Sequence, residues 1–125
     1  MGAGSLLKLV RIPNVLIGLF TVLLGGLLGG ASTIDHWIVV GFHAISVAAF
    51  MSAWNVYNDI MDIEGDKINH PNRPLALGDI SIESARKIGM FSLVTSIIGL
   101  LCAAGWVSIS GGDVSSWLPS LPIWF

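Results

Sequence analysis

Apolar and polar positions alternate here in long blocks. Residues 12–31 and 37–54 contain no Asp, Glu, Lys or Arg, and residues 85–107 contain only Arg86 and Lys87, at their start. About 20 apolar residues in helical form cross the hydrocarbon of a bilayer. The pattern therefore predicts three membrane helices, over 12–31, 37–54 and 85–107. Pro13 fits a first helical turn, where its missing N–H costs nothing. Trp37 and Trp54 bracket the second span, as expected of residues anchored at the two interfaces. Ser32 to His36 reads as a short turn, and the second helix is expected to run on into the polar block at 55–84. Ser81 and Ser84 are candidate N-caps for the third helix, with Asp79 and Glu83 suited to its positive end. The apolar, aromatic stretch 117–125 is too short to span and reads as the opening of a fourth helix.

Gly25/Gly29 and Gly26/Gly30 form two small-xxx-small pairs, which let helices approach closely in lipid. Helix packing is the favoured reading, with subunit dimerisation the lesser one. The expected fold class is all-α, a multi-pass transmembrane helical bundle formed as one domain over 1–125.

Composition agrees. The chain is 54% apolar and 11% charged, with a mean hydropathy of +0.80, whereas soluble domains carry about 25% charged residues. A net charge of −2 argues for no polyanionic partner. Without a basic stripe, nucleic acid is not expected. The six cations are Lys8, Arg11, Lys67, Arg73, Arg86 and Lys87, and with three spans all fall on one side. The other side carries Asp35 and Asp113. The positive-inside rule then predicts a cell-membrane protein with its N-terminus and the 55–84 segment in the cytoplasm. The single cysteine, Cys102, sits in an apolar run and reads as packing.

The chemistry is concentrated in 55–84. Six of the eight acidic residues lie between Asp59 and Glu83. At about 100° per residue, and taking Asp59 as zero, Asp62 falls near ~300°, Asn55 near ~320° and Asp66 near ~340°, with Asn58 at the edge of that face. Three carboxylates on one stripe repel each other, at a membrane surface where charge is expensive. A hard divalent cation with oxygen ligands would relieve this, and Mg²⁺ is usually held by a few carboxylates plus substrate phosphates. An acid ladder running into a cationic loop, Asn69-His70-Pro71-Asn72-Arg73-Pro74-Leu75, suits a metal–diphosphate site. The plain alternative is a solvated acidic helix end. His43 and Tyr57 each lie about 160° from the acidic face; His43 reads as a helix-facing or water-contacting residue rather than a ligand, and Tyr57 as packing.

The motif Asn58-Asp59-x-x-Asp62-x-x-x-Asp66, followed by Arg73-Pro74-Leu75, resembles the first aspartate-rich motif of the UbiA superfamily of intramembrane prenyltransferases. Arg11-Ile12-Pro13-Asn14 resembles that family's Arg-x-x-Asn at the start of its first membrane helix. The string through Asp66-Lys67-Ile68-Asn69-His70-Pro71-Asn72-Arg73-Pro74 is most similar to the branch containing archaeal digeranylgeranylglyceryl phosphate synthase and chlorophyll synthase. The resemblance covers about residues 5 to 107.

It implies a nine-helix fold in two related halves, each supplying one aspartate-rich motif to a central cavity. Only the first motif is present here, so the chain is expected to be the N-terminal part of such an enzyme, inactive alone and partnered by the C-terminal half. The implied reaction is Mg²⁺-dependent transfer of a prenyl group, geranylgeranyl in this branch, from its diphosphate to a lipid-like acceptor. In the archaeal branch that acceptor is geranylgeranylglyceryl phosphate, made into an ether lipid among the membrane lipids. Asp59, Asp62 and Asp66 would hold the metal, directly or through waters, and serve as the catalytic carboxylates. Asn55 and Asn58 would complete the polar shell, Lys67 and Arg73 would bind phosphate oxygens, and Arg11 and Asn14 would contact the acceptor.

The competing readings are an aromatic or tetrapyrrole acceptor and a non-enzymatic three-span protein that assembles through its glycine-rich helix. A CDP-alcohol phosphatidyltransferase is disfavoured, because no Asp-Gly-x-x-Ala-Arg element separates the acids.

Overall fold

A computed structural model describes residues 2–112. The expected fourth-span opening at 117–125 and Asp113 lie outside the described residues. Within them the chain is entirely helical: α1 (Ala3–Leu9), α2 (Ile12–Leu28), α3 (Ile34–Met61), α4 (Ile63–Asn69), α5 (Pro74–Leu77) and α6 (Ile82–Ile109). Two helices, α3 and α6, are long and apolar enough to cross a membrane. A third span results if α1 and α2, bent by 59° at their junction, are counted as one.

Each long helix has 28 residues. At 1.5 Å per residue that is about 42 Å, well beyond a ~30 Å hydrocarbon core. The excess on α3 carries its acidic end out of the apolar zone while keeping it helical. Its other end starts earlier than the expected turn allowed. Thr33 caps it, its hydroxyl accepting from the His36 N–H at 3.3 Å, and Asp35 lies in the first turn. Ser81 caps α6 in the same way, accepting from the Ser84 N–H at 3.1 Å.

α3 is the central helix, with α2 against one side and α6 against the other. The α3–α6 seam repeats every three and four residues, the spacing of a left-handed helix pair. On α6 it runs Ala85, Gly89, Ser96, Gly99 and Ala103; on α3 it includes Val39, Ser46, Ala53 and Val56, all buried. Small residues suit such a seam, because association in lipid relies on close packing rather than on expulsion of water. A Cβ on Gly99 would sit 3.1 Å from the Phe42 carbonyl oxygen. Beside it Ser46 Oγ donates to the Ser96 carbonyl at 2.9 Å. Tyr57 packs as expected, its ring 3.1 Å from where a Gly89 Cβ would lie.

The α2–α3 contact uses fewer of the glycines than the sequence pairs suggested. Gly26 faces the Val40 side chain, and Gly18 faces Met51. Gly25 meets nothing beyond its own helix. Gly30, at φ +88°, ends α2 instead, with the Ala31 N–H returning to the Gly26 carbonyl at 2.9 Å.

At the polar end of the bundle a compact cluster ties the short helices down. Leu9, Val56, Leu75, Ile80 and Ala85 are buried together, with Ile63 packed against them. This explains the break at Asp62 (φ −92°, ψ 5°): the chain turns there to bring Ile63 into the cluster.

Candidate functional site

The acidic segment does not present one uniform face. Asp59, on the last turns of α3, is buried at 2% exposure, and Asp66, on α4, is buried at 5%. Asp62, at the break between them, is exposed, and Asn58 is half-buried. Carboxylates are almost never buried unless paired, and both buried ones are paired. Arg11 Nη2 donates to Asp59 Oδ1 at 2.6 Å, and Arg73 Nη1 donates to Asp66 Oδ2 at 2.5 Å. Arg73 also stands 3.5 Å from Asp59 Oδ1, so one guanidinium links the two carboxylates. The hydrogen bond to Asp66 holds Arg73 above the ordinary arginine range; burial opposes it, and the charges of Asp59, Asp66 and Asp62 reinforce it.

Arg11 reaches Asp59 because the α1–α2 junction is folded in a particular way. Arg11 itself takes the left-handed conformation, φ 55° and ψ 60°, which is uncommon for a residue with a side chain. Two contacts hold the bend. Leu9 is fully buried in the cluster, and Asn55 Nδ2 donates to the Val10 carbonyl at 2.9 Å. Asn55 thus supports the bend from α3, a position different from the polar metal shell the motif suggested.

Two cavities open on this end of the bundle. One, of about 440 Å³, is lined by Asp62 and Asp66 together with Asn69, His70 and Arg73. The other, of about 340 Å³, is lined by Lys8, Arg11 and Asp59, with Asn72 and the same Asn69, His70 and Arg73. The first is acidic and the second cationic, and Arg73 stands in the wall they share.

The residues singled out from the sequence therefore divide. Asp62, Asp66 and Arg73 come together at the acidic cavity; Arg11, Asp59 and Arg73 come together at the cationic one. Lys67 lines neither, and its amine bonds Glu64 Oε1 at 2.8 Å on an exposed face of α4. Asn14 is exposed and also lines neither cavity. Lys8, which no motif contains, and Asn69 and His70, which the motif string contains without a role of their own, are further lining residues. Lys8 had one available signal, its place three residues before Arg11, but the bend between them removes the helical spacing that would have given it weight.

Among the described residues no three His, Cys, Asp or Glu side chains stand close enough together to hold a metal ion by themselves. Two carboxylates at one cavity nonetheless fit Mg²⁺ in kind, since that ion commonly takes one or two carboxylates and fills its remaining positions with waters and substrate phosphates.

The profile of the UbiA prenyltransferase family matches residues 18–125; Arg11 and Asn14 lie just ahead of the match. Curated relatives named digeranylgeranylglyceryl phosphate synthase are similar to the chain. That of Methanococcus aeolicus is 37% identical over 94 residues, covering 74% of this chain and 33% of the relative. That of Methanocaldococcus jannaschii is 38% identical over 98 residues, covering 76% and 32%. That of Methanobrevibacter smithii is 31% identical over 113 residues, covering 90% and 36%. The chain thus spans about a third of the length of the curated relatives it matches. No solved structure matches it.

Proposed function

This chain belongs to the UbiA prenyltransferase family, and from that premise we propose that its polar end binds the diphosphate of an isoprenoid donor for prenyl transfer in archaeal ether-lipid synthesis. The observation that carries this is the meeting of Asp62, Asp66 and Arg73 at one cavity beside the membrane helices. The relatives' printed name supports geranylgeranyl as the prenyl group and a glyceryl phosphate lipid as the acceptor.

Mg²⁺, when bound, would neutralise the departing diphosphate and so stabilise the charge that develops as the allylic C–O bond breaks. Asp62 and Asp66 would hold it, with Asn58 at the edge of the site. Asp59, the third carboxylate of the motif, would act from beneath, fixing Arg11 and Arg73. Arg73 would take phosphate oxygens through its planar fork, for which bidentate geometry is suited. The bond pair leaves with the diphosphate. The acceptor hydroxyl oxygen then forms the new C–O bond and loses its proton. The allylic carbon must be shielded from water, and apolar helix faces provide that. Arg11 and Asn14 belong on the acceptor side.

Three spans, formed by α1–α2, α3 and α6, would place all six cations and both cavities on the cytoplasmic face. A second aspartate-rich half, as the resemblance implies, would complete the site.

The test is binding of geranylgeranyl diphosphate to the purified chain in detergent, with and without Mg²⁺. Binding that requires Mg²⁺ and is lost in Asp62→Ala/Asp66→Ala supports the reading. Mg²⁺-dependent binding that survives the double change sinks the assignment of these carboxylates.

A further inference from the structure

The two buried carboxylates differ in how their charge is matched. Among the described residues, Asp66 pairs with Arg73 alone. Asp59 has two cations, Arg11 at 2.6 Å and Arg73 at 3.5 Å. If the Arg73 side chain turned away, Asp59 would keep Arg11, and only Asp66 would be left as a buried charge without a counter-ion. That state is costly, and a divalent cation on Asp66 removes the cost. Arg73 is partly exposed and lies between α4 and α5. It lines both cavities, so its guanidinium can turn within their shared wall while both helices stay in place.

The charge balance at this end points the same way. Asp59, Asp62 and Asp66 face Arg11, Arg73 and the Lys8 ammonium across the two cavities, so side chains alone match the three carboxylates. A lone divalent cation on Asp66 would meet a guanidinium bonded to the same carboxylate at 2.5 Å, and like charges so close repel strongly. A diphosphate changes the sign of the exchange, because its oxygens accept from a guanidinium in bidentate fashion.

We propose that Arg73 is an exchangeable counter-ion that sets the order of loading: it shields Asp66 from a lone divalent cation and yields that carboxylate only when a diphosphate takes up the guanidinium. The inference rests on the prenyl-transfer reading and adds to it a control on the same site. Metal and diphosphate then enter together, and at no stage does either buried carboxylate lack a partner: Asp59 keeps Arg11, and Asp66 exchanges Arg73 for the metal.

The experiment is calorimetric titration of the purified chain in detergent with Mg²⁺ alone, and with geranylgeranyl diphosphate in the presence of Mg²⁺. Arg73→Gln is expected to bind Mg²⁺ alone about tenfold more tightly than the unchanged chain and to bind the diphosphate about tenfold more weakly, the scale of one charge-assisted hydrogen bond. Adding Asp66→Asn to Arg73→Gln should abolish the gain in metal affinity. Arg73→Lys keeps the charge but not the planar fork, so it should leave the affinity for Mg²⁺ alone as weak as before while still weakening the diphosphate. This variant tests the shield even if Arg73→Gln fails to fold: tighter binding of Mg²⁺ alone by Arg73→Lys overturns the proposal. So does affinity for Mg²⁺ alone that is unchanged or lowered in folded Arg73→Gln, or a gain that survives Asp66→Asn. If the unchanged chain still binds the diphosphate with Mg²⁺ in those cases, the prenyl-transfer reading stands. If the folded, unchanged chain binds no diphosphate, that reading falls, and the exchange falls with it.

Discussion

Arg11 and Asp59, 48 residues apart in sequence, meet at 2.6 Å, with Asp59 almost fully buried and the Arg11 backbone in the left-handed conformation. The ion pair joins the first membrane helix to the end of the central one. Removing one partner of a buried pair strands the other charge, typically at a cost of about 3–5 kcal/mol. Arg73, 3.5 Å away, would offset part of that. Arg11→Ala is therefore expected to destabilise the chain by about 2–3 kcal/mol, and Arg11→Ala/Asp59→Asn by less than Arg11→Ala alone. Thermal unfolding in detergent reads both. A double variant less stable than the single would contradict a stranded-charge effect.

The left-handed turn gives a second comparison at the same position. Arg11→Gly loses the same ion pair as Arg11→Ala but relieves the backbone strain. It should be more stable than Arg11→Ala by about 1 kcal/mol. Equal stability of the two would mean that the turn relaxes once the guanidinium is gone.

Asn55 supplies the donor that holds the bend. Asn55→Leu leaves the Val10 carbonyl without it, which is worth about 1–3 kcal/mol for a buried group. The effect should appear locally, as faster proteolysis around residues 8–12 and faster amide exchange in α1, before global unfolding shifts. Unchanged exchange in α1 with a lowered overall melting point would assign Asn55 to the helix seam instead.

Arg73 gives a pH prediction with a definite sign. Its affinity for the proton is raised in the folded chain by Asp66 first. The stability this contributes is fully present below the ordinary arginine range and is lost only as pH rises through the still higher folded value. Arg73→Gln should therefore lower stability by the same amount at pH 6 and at pH 9. A difference between the two that changes across that interval would point to another titrating group at the site.

Gly99 tests the seam. A Cβ there would meet the Phe42 carbonyl and the Ser46 backbone, neither of which can rotate away. Gly99→Val should push α3 and α6 apart and cost about 1–3 kcal/mol, the usual range for overpacking. Gly25→Val, with open space around it, should cost much less, and a matching loss in both would show that helix propensity rather than packing is responsible.

Much of this arrangement was legible in the residue order. Long uncharged runs located α2, α3 and α6 because backbone groups in hydrocarbon must bond within their own segment. Ser81 marks the start of α6 by side-chain chemistry that acts within three residues, whereas the cap at Thr33 lies inside the stretch that read as a turn. The approximate angular rule put Asp59, Asp62 and Asp66 on one face; Asp59 and Asp66 are buried, whereas Asp62, at the helix break, is exposed. It also grouped Asn55 with them as a ligand, whereas Asn55 points to the α1–α2 bend, since α1 occupies that side of α3. Lys67, which its place in the motif suggested for phosphate, pairs in this structure with Glu64 one turn away on an exposed face of α4.

Residue identity and spacing alone determined that this is a membrane-spanning helical chain, that its cations gather at one end, and that its carboxylates and arginines belong to one motif. These follow from hydropathy and short-range geometry, which act along a single helix. Only the tertiary structure decided that the candidate residues line two cavities rather than one ladder. That division depends on a left-handed turn at Arg11, a break at Asp62 and a guanidinium shared by Asp59 and Asp66. Each is settled by contacts between segments far apart in sequence, and no periodicity within one segment encodes them.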